Sequence, residues 1–240
     1  SDDTSTFGYA STTDGVHIDE RPTEPIYLPR EAFEMKTTEG FSGIEDPRVT
    51  LIDDTIYILY TAFNGVVPRV AYSTISVKDF LDKRWNWSWP KVITPDNVAD
   101  KDAAILPKKI NNQFMLFHRP GDRDMYVTLI DELELGHVMA SKQRKVIISP
   151  ADNMKKVGLS TTPFETKHGW LIFYHWVTMQ GVYELGAALL DHRDPSHVTH
   201  LGRTPLLTPE MDYEIHGAVP NVVFPCGAVL LNDEVYLYYG

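Results

Sequence analysis

The sequence has little positive charge and a single cysteine, and each shortage excludes a class of protein. The 240-residue chain has 33 acidic residues but only 22 lysines and arginines, which gives a net charge of −11. Nucleic acids and anionic membranes bind basic surfaces, so neither is expected to be the main partner. The lone cysteine, Cys226, excludes an intrachain disulfide and is typical of a reducing compartment, so we expect a cytoplasmic location.

Long apolar runs and metal-binding patterns are also missing. No stretch reaches the roughly 18 consecutive apolar residues of a membrane span, and no charged-then-apolar leader is visible. The histidines lack metal-ligand spacing and there is no glycine-rich phosphate loop, so we expect neither a metal nor an organic cofactor. With 43% hydrophobic residues the chain can bury a large core, and we predict one domain over residues 1–240.

The sequence does contain a repeated motif, which is present in four copies. Each copy has a small or acidic stretch, an apolar strand, a polar tip and a second apolar strand that ends in aromatic residues. The tips are separated by 58, 56 and 65 residues, and they lie at Asp54, Asn112, His168 and Asp233. A strand-built repeat of this period predicts an all-β fold made of propeller blades.

The phase of the repeat leaves two arrangements open. A strand-like piece beginning at Phe7 has no hairpin before it, and the hairpin that ends at Gly240 has no strand after it. Either these two halves complete one shared blade, which gives a ring of four, or the chain is part of a larger ring. The second arrangement predicts that a missing blade is supplied by more of the natural chain or by another polypeptide.

Five segments in this order resemble glycoside hydrolase family 130, the β-mannoside phosphorylases and related mannosidases: GIEDPRVT, KDAAILPKKINNQFMLFHRP, GWLIFYHWV, YELGAALLDHRDPS and VPNVVFPCGAVL. The resemblance covers nearly the whole chain. It implies a five-bladed β-propeller, of which this sequence would hold about four blades' worth, truncated at both ends. It also implies a glycosyltransferase-type phosphorylase of β-mannosides that uses inorganic phosphate as co-substrate.

The resemblance implies a role for several residues. Asp46, in the segment Glu-Asp-Pro, matches the general acid of the family, which acts through a sugar hydroxyl. The expected phosphate ligands are Lys101, Arg119, Lys156 and His175, with Tyr174 nearby. The expected sugar contacts are Glu45, Arg48, Asn64 and Asp102. The sequence departs from many relatives after the Tyr-His pair, where Trp176 and Thr178 replace a glycine and a cation.

Each of these residue types also has a common structural role. An Asp before proline is typical of a turn, a half-buried arginine such as Arg119 often forms an ion pair between blades, and most lysines are solvated. A histidine flanked by aromatics, such as His175, is often a hydrogen-bonded core residue.

The function that these residues favour is an inverting phosphorolysis of β-mannosides to α-mannose 1-phosphate. Phosphate is itself a nucleophile once cations position it, so no second catalytic carboxylate is required. One alternative is a β-mannoside hydrolase in which Glu214 activates water, and another is a non-catalytic carbohydrate-binding propeller. The partners expected are therefore a manno-oligosaccharide and phosphate, without nucleic acid or membrane, and a homo-oligomer is compatible with this function.

Overall fold

The structure is all-β, with four sheets that follow one another along the chain, as the alternating apolar pattern predicts. It is a computed structural model that describes residues 4–37, 40–231 and 234–240. The predicted hairpin tip at Asp233 lies outside these residues. None of the helices in the described ranges is long and apolar enough to cross a membrane.

The first two sheets have their strands in chain order. The first consists of β1 (Thr4–Ser5), β2 (Ser42–Ile52), β3 (Thr55–Phe63), β4 (Arg69–Ser76) and β5 (Lys91–Val92). The second consists of β6 (Ala104–Ile105), β7 (Phe114–His118), β8 (Met125–Ile130) and β9 (Arg144–Ile148). Neighbouring strands are antiparallel, except that β1 runs parallel to β2.

The third sheet is again ordered along the chain, and the fourth is a hairpin. The third consists of β10 (Met154–Leu159), β12 (Gly169–Thr178), β13 (Tyr183–Leu190) and β14 (Val198–Leu201), with the short β11 (Phe164–Thr166) paired to β12. The fourth consists of β15 (Pro225–Leu231) and β16 (Glu234–Tyr239). Short helices lie between strands: α1 (Val77–Leu81), α2 (His137–Ala140) and α3 (Asp212–Ile215).

Apolar clusters join each sheet to the next. Leu59 of the first sheet packs in one cluster with Leu116 of the second, and Phe117 of the second packs with Trp170 of the third. Buried Phe173 of the third sheet lies in a cluster that includes Leu237 of the fourth. Because every sheet buries one face or edge against its neighbour, the cores form a series along the chain.

The segment that starts at Phe7 is not a strand, contrary to the sequence prediction. Phe7 forms an isolated antiparallel bridge with Tyr27, and its ring packs against Tyr60 of the first sheet. Its contact with the last hairpin is a side-chain bond, in which Tyr238 Oη donates to the carbonyl of Gly15 over 3.0 Å. Among the described residues no backbone ladder connects the two chain ends, so the shared-blade arrangement is not observed.

Candidate functional site

Asp46 lies at a β-bulge in β2, where the pairing with β3 skips from Glu45 to Arg48. Its backbone has φ 53°, in the left-handed region that Asp tolerates better than most residues. Pro47 lacks an N–H to pair in a ladder, so it suits the bulge. The bulge exposes Asp46 and Pro47 to two cavities, of about 940 Å³ and about 390 Å³, which both residues line.

The environment of Asp46 favours its protonated form. Burial raises the pKa of the Asp46 carboxyl, and the nearby Asp102 carboxylate adds to that effect, although the charge of Arg48 opposes it. Cys226 Sγ lies 3.9 Å from Asp46 Oδ1. A raised pKa on a carboxyl beside a cavity is the direction of shift that favours a general acid.

Arg48 is fully buried, and its guanidinium is bonded to protein on every nitrogen. Nη1 donates to the Asp46 carbonyl over 2.8 Å, Nε to the Ser160 carbonyl over 3.0 Å, and Nη2 to the Leu159 carbonyl over 2.8 Å. Nη2 also lies 3.4 Å from Asp102 Oδ1. The main role of Arg48 in this arrangement is therefore to hold the bulge against the third sheet, and the sugar contact predicted for it stays a prediction.

Asp102 is the buried carboxylate at the centre of the site. Its Oδ2 accepts a 2.7 Å bond from Arg119 Nε, and His175 Nε2 lies 3.5 Å from the same oxygen. Burial works to raise the pKa of Asp102, but the charges of Arg119 and Arg48 outweigh it and hold the pKa well below its usual range. Asp102 is thus buried and orients Arg119, and the direct sugar contact predicted for it stays a prediction.

A glycine makes this close packing possible. A Cβ on Gly158 of β10 would lie 2.1 Å from Asp102 Oδ2 and 2.8 Å from the His175 ring. Any side chain at this position would separate the carboxylate from the cations that compensate its charge. Sequence analysis did not identify Gly158, because its importance depends on a neighbour that is distant along the chain.

Three of the predicted phosphate ligands are cations that lie near one another. Arg119, whose side chain is 3% exposed, also bonds through Nη1 to Asp122 Oδ1. Lys156 Nζ lies 3.2 Å from the same Asp122 oxygen, and Lys101 Nζ lies 3.7 Å from Glu45 Oε2. Burial and the charges of Arg119 and Lys101 lower the pKa of Lys156 to about 8. Arg119 and Lys156 both contact Asp122, and the backbone N–H of Arg119 donates to the Lys101 carbonyl over 3.0 Å, so the three residues are neighbours and their region suits an anion.

The other two predicted phosphate ligands, Tyr174 and His175, are adjacent in β12 and point to opposite faces. Tyr174 lies in the apolar core and donates its hydroxyl to the Gly202 carbonyl over 2.5 Å, so the structure does not bring it to the cations. His175 faces the site, with Nδ1 3.2 Å from Ser160 Oγ. Burial lowers the pKa of His175 to about 3, so it enters any ligand contact as a neutral imidazole and not as a cation.

Glu45 and Asn64 lie at the edge of the cluster. Burial raises the pKa of Glu45, which is half-buried, lines the smaller cavity with Asp46 and faces Lys101. Asn64 follows β3 and its Oδ1 accepts the backbone N–H of Val66 over 3.2 Å. Glu45 is therefore placed to touch a ligand next to Asp46, whereas the Asn64 side chain supports its own turn.

The larger cavity has an aromatic wall that sequence analysis mostly missed. Besides Asp46 it is lined by Tyr183, Tyr213, Phe224, Tyr238 and Tyr239. Tyr183 is stacked at 25° on the His175 ring, which places this wall next to the buried cluster. Flat aromatic faces cover the apolar C–H face of a sugar ring, and their hydroxyls offer hydrogen bonds to its edge.

Glu214, the base considered for a hydrolase, is fully engaged with the protein. Its Oε2 accepts the backbone N–H groups of Glu210 and Met211 at the start of α3, and its Oε1 accepts the Tyr239 hydroxyl over 2.6 Å. The Tyr239 bond and these backbone bonds lower its pKa. Glu214 therefore positions Tyr239, and its role as the base of a hydrolase stays a prediction that these three hydrogen bonds do not favour. Within the described ranges no group of three or more metal-ligating side chains converges.

Comparisons with known proteins show which family the chain is similar to. The model of glycoside hydrolase family 130, described as beta-1,4-mannooligosaccharide phosphorylase, matches residues 1–240. Beta-1,2-mannobiose phosphorylase of Thermoanaerobacter sp. (strain X514) is 39% identical over 98% of this chain and 73% of its own length. The 1,2-beta-oligomannan phosphorylase of that strain is 33% identical over 98% and 75%.

A solved structure is similar over most of the fold. Beta-1,2-mannobiose phosphorylase from Listeria innocua, in complex with beta-1,2-mannobiose, superimposes with a TM-score of 0.77 and 31% identity, covering 96% of this chain and 62% of that one. The chain thus spans about three quarters of the two Thermoanaerobacter proteins and less than two thirds of the Listeria protein.

Proposed function

The chain belongs to glycoside hydrolase family 130, and we propose that it phosphorolyses β-mannosides with inversion, releasing α-mannose 1-phosphate. The observation that carries the proposal is the link between Asp46 and the cation cluster. Arg48 bonds to the Asp46 carbonyl and lies 3.4 Å from Asp102, and Asp102 in turn orients Arg119. A proton donor and an anion site are therefore built on one buried network.

The reaction needs two events at the bond between the sugars. A phosphate oxygen, held by Arg119, Lys156 and Lys101, forms a bond to the anomeric carbon from the face opposite the leaving sugar. The glycosidic bond breaks, and its electron pair goes to the leaving oxygen, which receives the proton of Asp46 through a sugar hydroxyl. The cations offset the repulsion between phosphate and the buried Asp102 carboxylate and fix the direction of attack.

The cavities on either side of Asp46 give each sugar a place. The larger one, with Tyr183 and Phe224 beside the buried cluster, takes the mannose that phosphate attacks, and the smaller one, lined by Glu45, takes the leaving sugar. Hydrolysis is the weaker alternative, because Glu214 is occupied and three cations are present. The names of the two Thermoanaerobacter relatives support β-1,2-linked substrates.

The test of this proposal is the phosphate dependence of turnover. The protein is incubated with β-1,2-mannobiose or β-1,4-mannobiose, with and without inorganic phosphate, and products are followed by proton and phosphorus NMR. We expect α-mannose 1-phosphate only when phosphate is present. Mannose released at the same rate without phosphate would identify a hydrolase, and the absence of any product would favour a carbohydrate-binding protein.

We further propose that the four sheets are blades of a β-propeller, for which the resemblance implies five blades. Strands β2, β6 and β10 of the first three sheets lie near one another, as inner strands do around the axis of a propeller. Thr50 of β2 donates to the Ile105 carbonyl of β6, and Arg48 of β2 bonds to Leu159 at the end of β10. A crystal structure in which these strands do not surround one axis would contradict the architecture.

The unmodified protein is expected to lose phosphate affinity at alkaline pH, and the Lys156→Arg variant is expected to keep it. Because the pKa of Lys156 is about 8, its charge is present below that pH and is lost above it. At pH 9 the charged fraction is about tenfold smaller, so the KM for phosphate of the unmodified protein rises by up to about tenfold. Arginine stays charged there.

Lys155→Arg is the matched control for this prediction. Lys155 is the adjacent, exposed residue of β10, so its substitution makes the same chemical change outside the cluster. We expect the phosphate KM of this variant to rise above pH 8 as in the unmodified protein. An equal rise in the Lys156→Arg variant would show that another group titrates.

A further inference from the structure

The carboxylate of Asp122 lies between two of the cations that the proposed function assigns to phosphate. Its Oδ1 accepts a hydrogen bond from Arg119 Nη1, and Lys156 Nζ lies 3.2 Å from Oδ1 and 3.3 Å from Oδ2. The side chain of Asp122 is 57% exposed, whereas that of Arg119 is 3% exposed. The carboxylate therefore approaches the cations from the solvent side and covers the positions that a bound anion would use.

The backbone at Asp122 is held in an unfavourable conformation. Gly121 and Asp122 follow one another with φ 77° and φ 58° in the loop between β7 and β8. A left-handed conformation costs free energy for a residue with a side chain, although Asp and Asn tolerate it best. The ion pairs with Arg119 and Lys156 offset this cost, so the contact is a specific one and not an accident of an extended surface side chain.

We propose that the Asp122 carboxylate is an internal competitor of phosphate, which neutralises Arg119 and Lys156 when the site is free and is displaced when phosphate binds. The inference rests on the proposed function, because that function is what brings phosphate to these cations. Phosphate carries more negative charge than a carboxylate and has more acceptor oxygens, so it can replace Asp122. The same carboxylate returns when the product leaves, which favours release of a sugar phosphate.

The substitution Asp122→Asn separates competition from loop structure. Asparagine has the same shape and tolerates the left-handed backbone, but it carries no charge to compete with phosphate. Asp124→Asn is the control: it removes one carboxylate from the same loop and changes the net charge equally, but Asp124 pairs with Arg123 at 3.6 Å and not with the cation cluster.

The measurement is calorimetric binding of inorganic phosphate in the absence of any mannoside. We expect the Asp122→Asn protein to bind phosphate about fivefold more tightly than the unmodified protein, the size of effect typical of a partly exposed ion pair. The Asp124→Asn protein is expected to bind as the unmodified protein does. In turnover assays the Asp122→Asn protein is expected to show a lower phosphate KM together with a lower kcat, because the sugar phosphate leaves more slowly.

Other outcomes overturn the inference. Equal or weaker phosphate binding by the Asp122→Asn protein would mean that Asp122 orders the cations or has no part in binding. If the Asp124→Asn protein also bound phosphate more tightly and to the same extent, the effect would come from net charge. If none of the three proteins bound phosphate, there would be no anion site at these cations. If instead the Asp122→Asn protein binds phosphate more tightly but no protein shows phosphate-dependent turnover, the proposed function is wrong while the competition at this anion site stands.

Discussion

The variant Asp46→Asn is expected to phosphorolyse mannosides about 10²–10⁴-fold more slowly than the unmodified protein, which is the usual contribution of a general acid. The amide has the shape of the carboxyl but no proton to give, so the leaving sugar must depart as an alkoxide. Asparagine also tolerates the φ of 53° at the bulge, so the fold is expected to stay intact. The measurement is kcat at saturating phosphate, together with the thermal unfolding midpoint of both proteins.

Asp53→Asn is the matched control for this experiment. Asp53 is an exposed aspartate in the turn between β2 and β3, and its φ of 51° is nearly that of Asp46. The two substitutions therefore make the same chemical change at the same backbone conformation in one hairpin, inside and outside the site. We expect Asp53→Asn to leave kcat unchanged. If the Asp46→Asn protein kept more than about a third of the activity, Asp46 would not be the acid.

The strands were predictable because their signals are local. The turn at Asp53 and Asp54 separates two alternating apolar runs, and β2 and β3 pair across it in the register that this turn sets. The segment after Phe7 shows where local reasoning fails. It has strand-like composition, but its backbone pairs only in isolated bridges, at Phe7 with Tyr27 and at Ser11 with Glu20, because the first sheet obtains its edge from β1 instead.

In the site, the chemical character of the residues was predictable but their partners were not. The alternation of side chains along β12 places Tyr174 and His175 on opposite faces, so the sequence alone already indicates that the two do not face the same side. The burial of Arg48 could not be predicted in this way. Its bonds reach Asp102, 54 residues away, and Ser160, 112 residues away, and no local pattern indicates which distant segments will meet.

Arg48 is expected to contribute more to stability than any other residue of the site. In the Arg48→Met variant the methionine fills part of the volume, but the carbonyls of Asp46, Leu159 and Ser160 lose their donor, and buried Asp102 loses one of its compensating charges. Breaking a buried ion pair from one side costs about 3–5 kcal/mol, because the remaining charge stays buried.

Urea unfolding of three variants tests whether loss of the buried Arg48 network lowers the stability of the protein. We expect Arg48→Met to unfold at a much lower urea concentration than the unmodified protein and Arg48→Lys to fall between them, since lysine keeps the charge but lacks the planar fork that reaches several acceptors at once. Arg193→Met, in an exposed turn before β14, is the control and is expected to change nothing. If Arg48→Met and Arg193→Met unfolded at the same urea concentration, Arg48 would not be the residue that joins the bulge of Asp46 to Asp102 and the third sheet. Contacts other than those of Arg48 would then have to hold Asp46, the proton donor, in place.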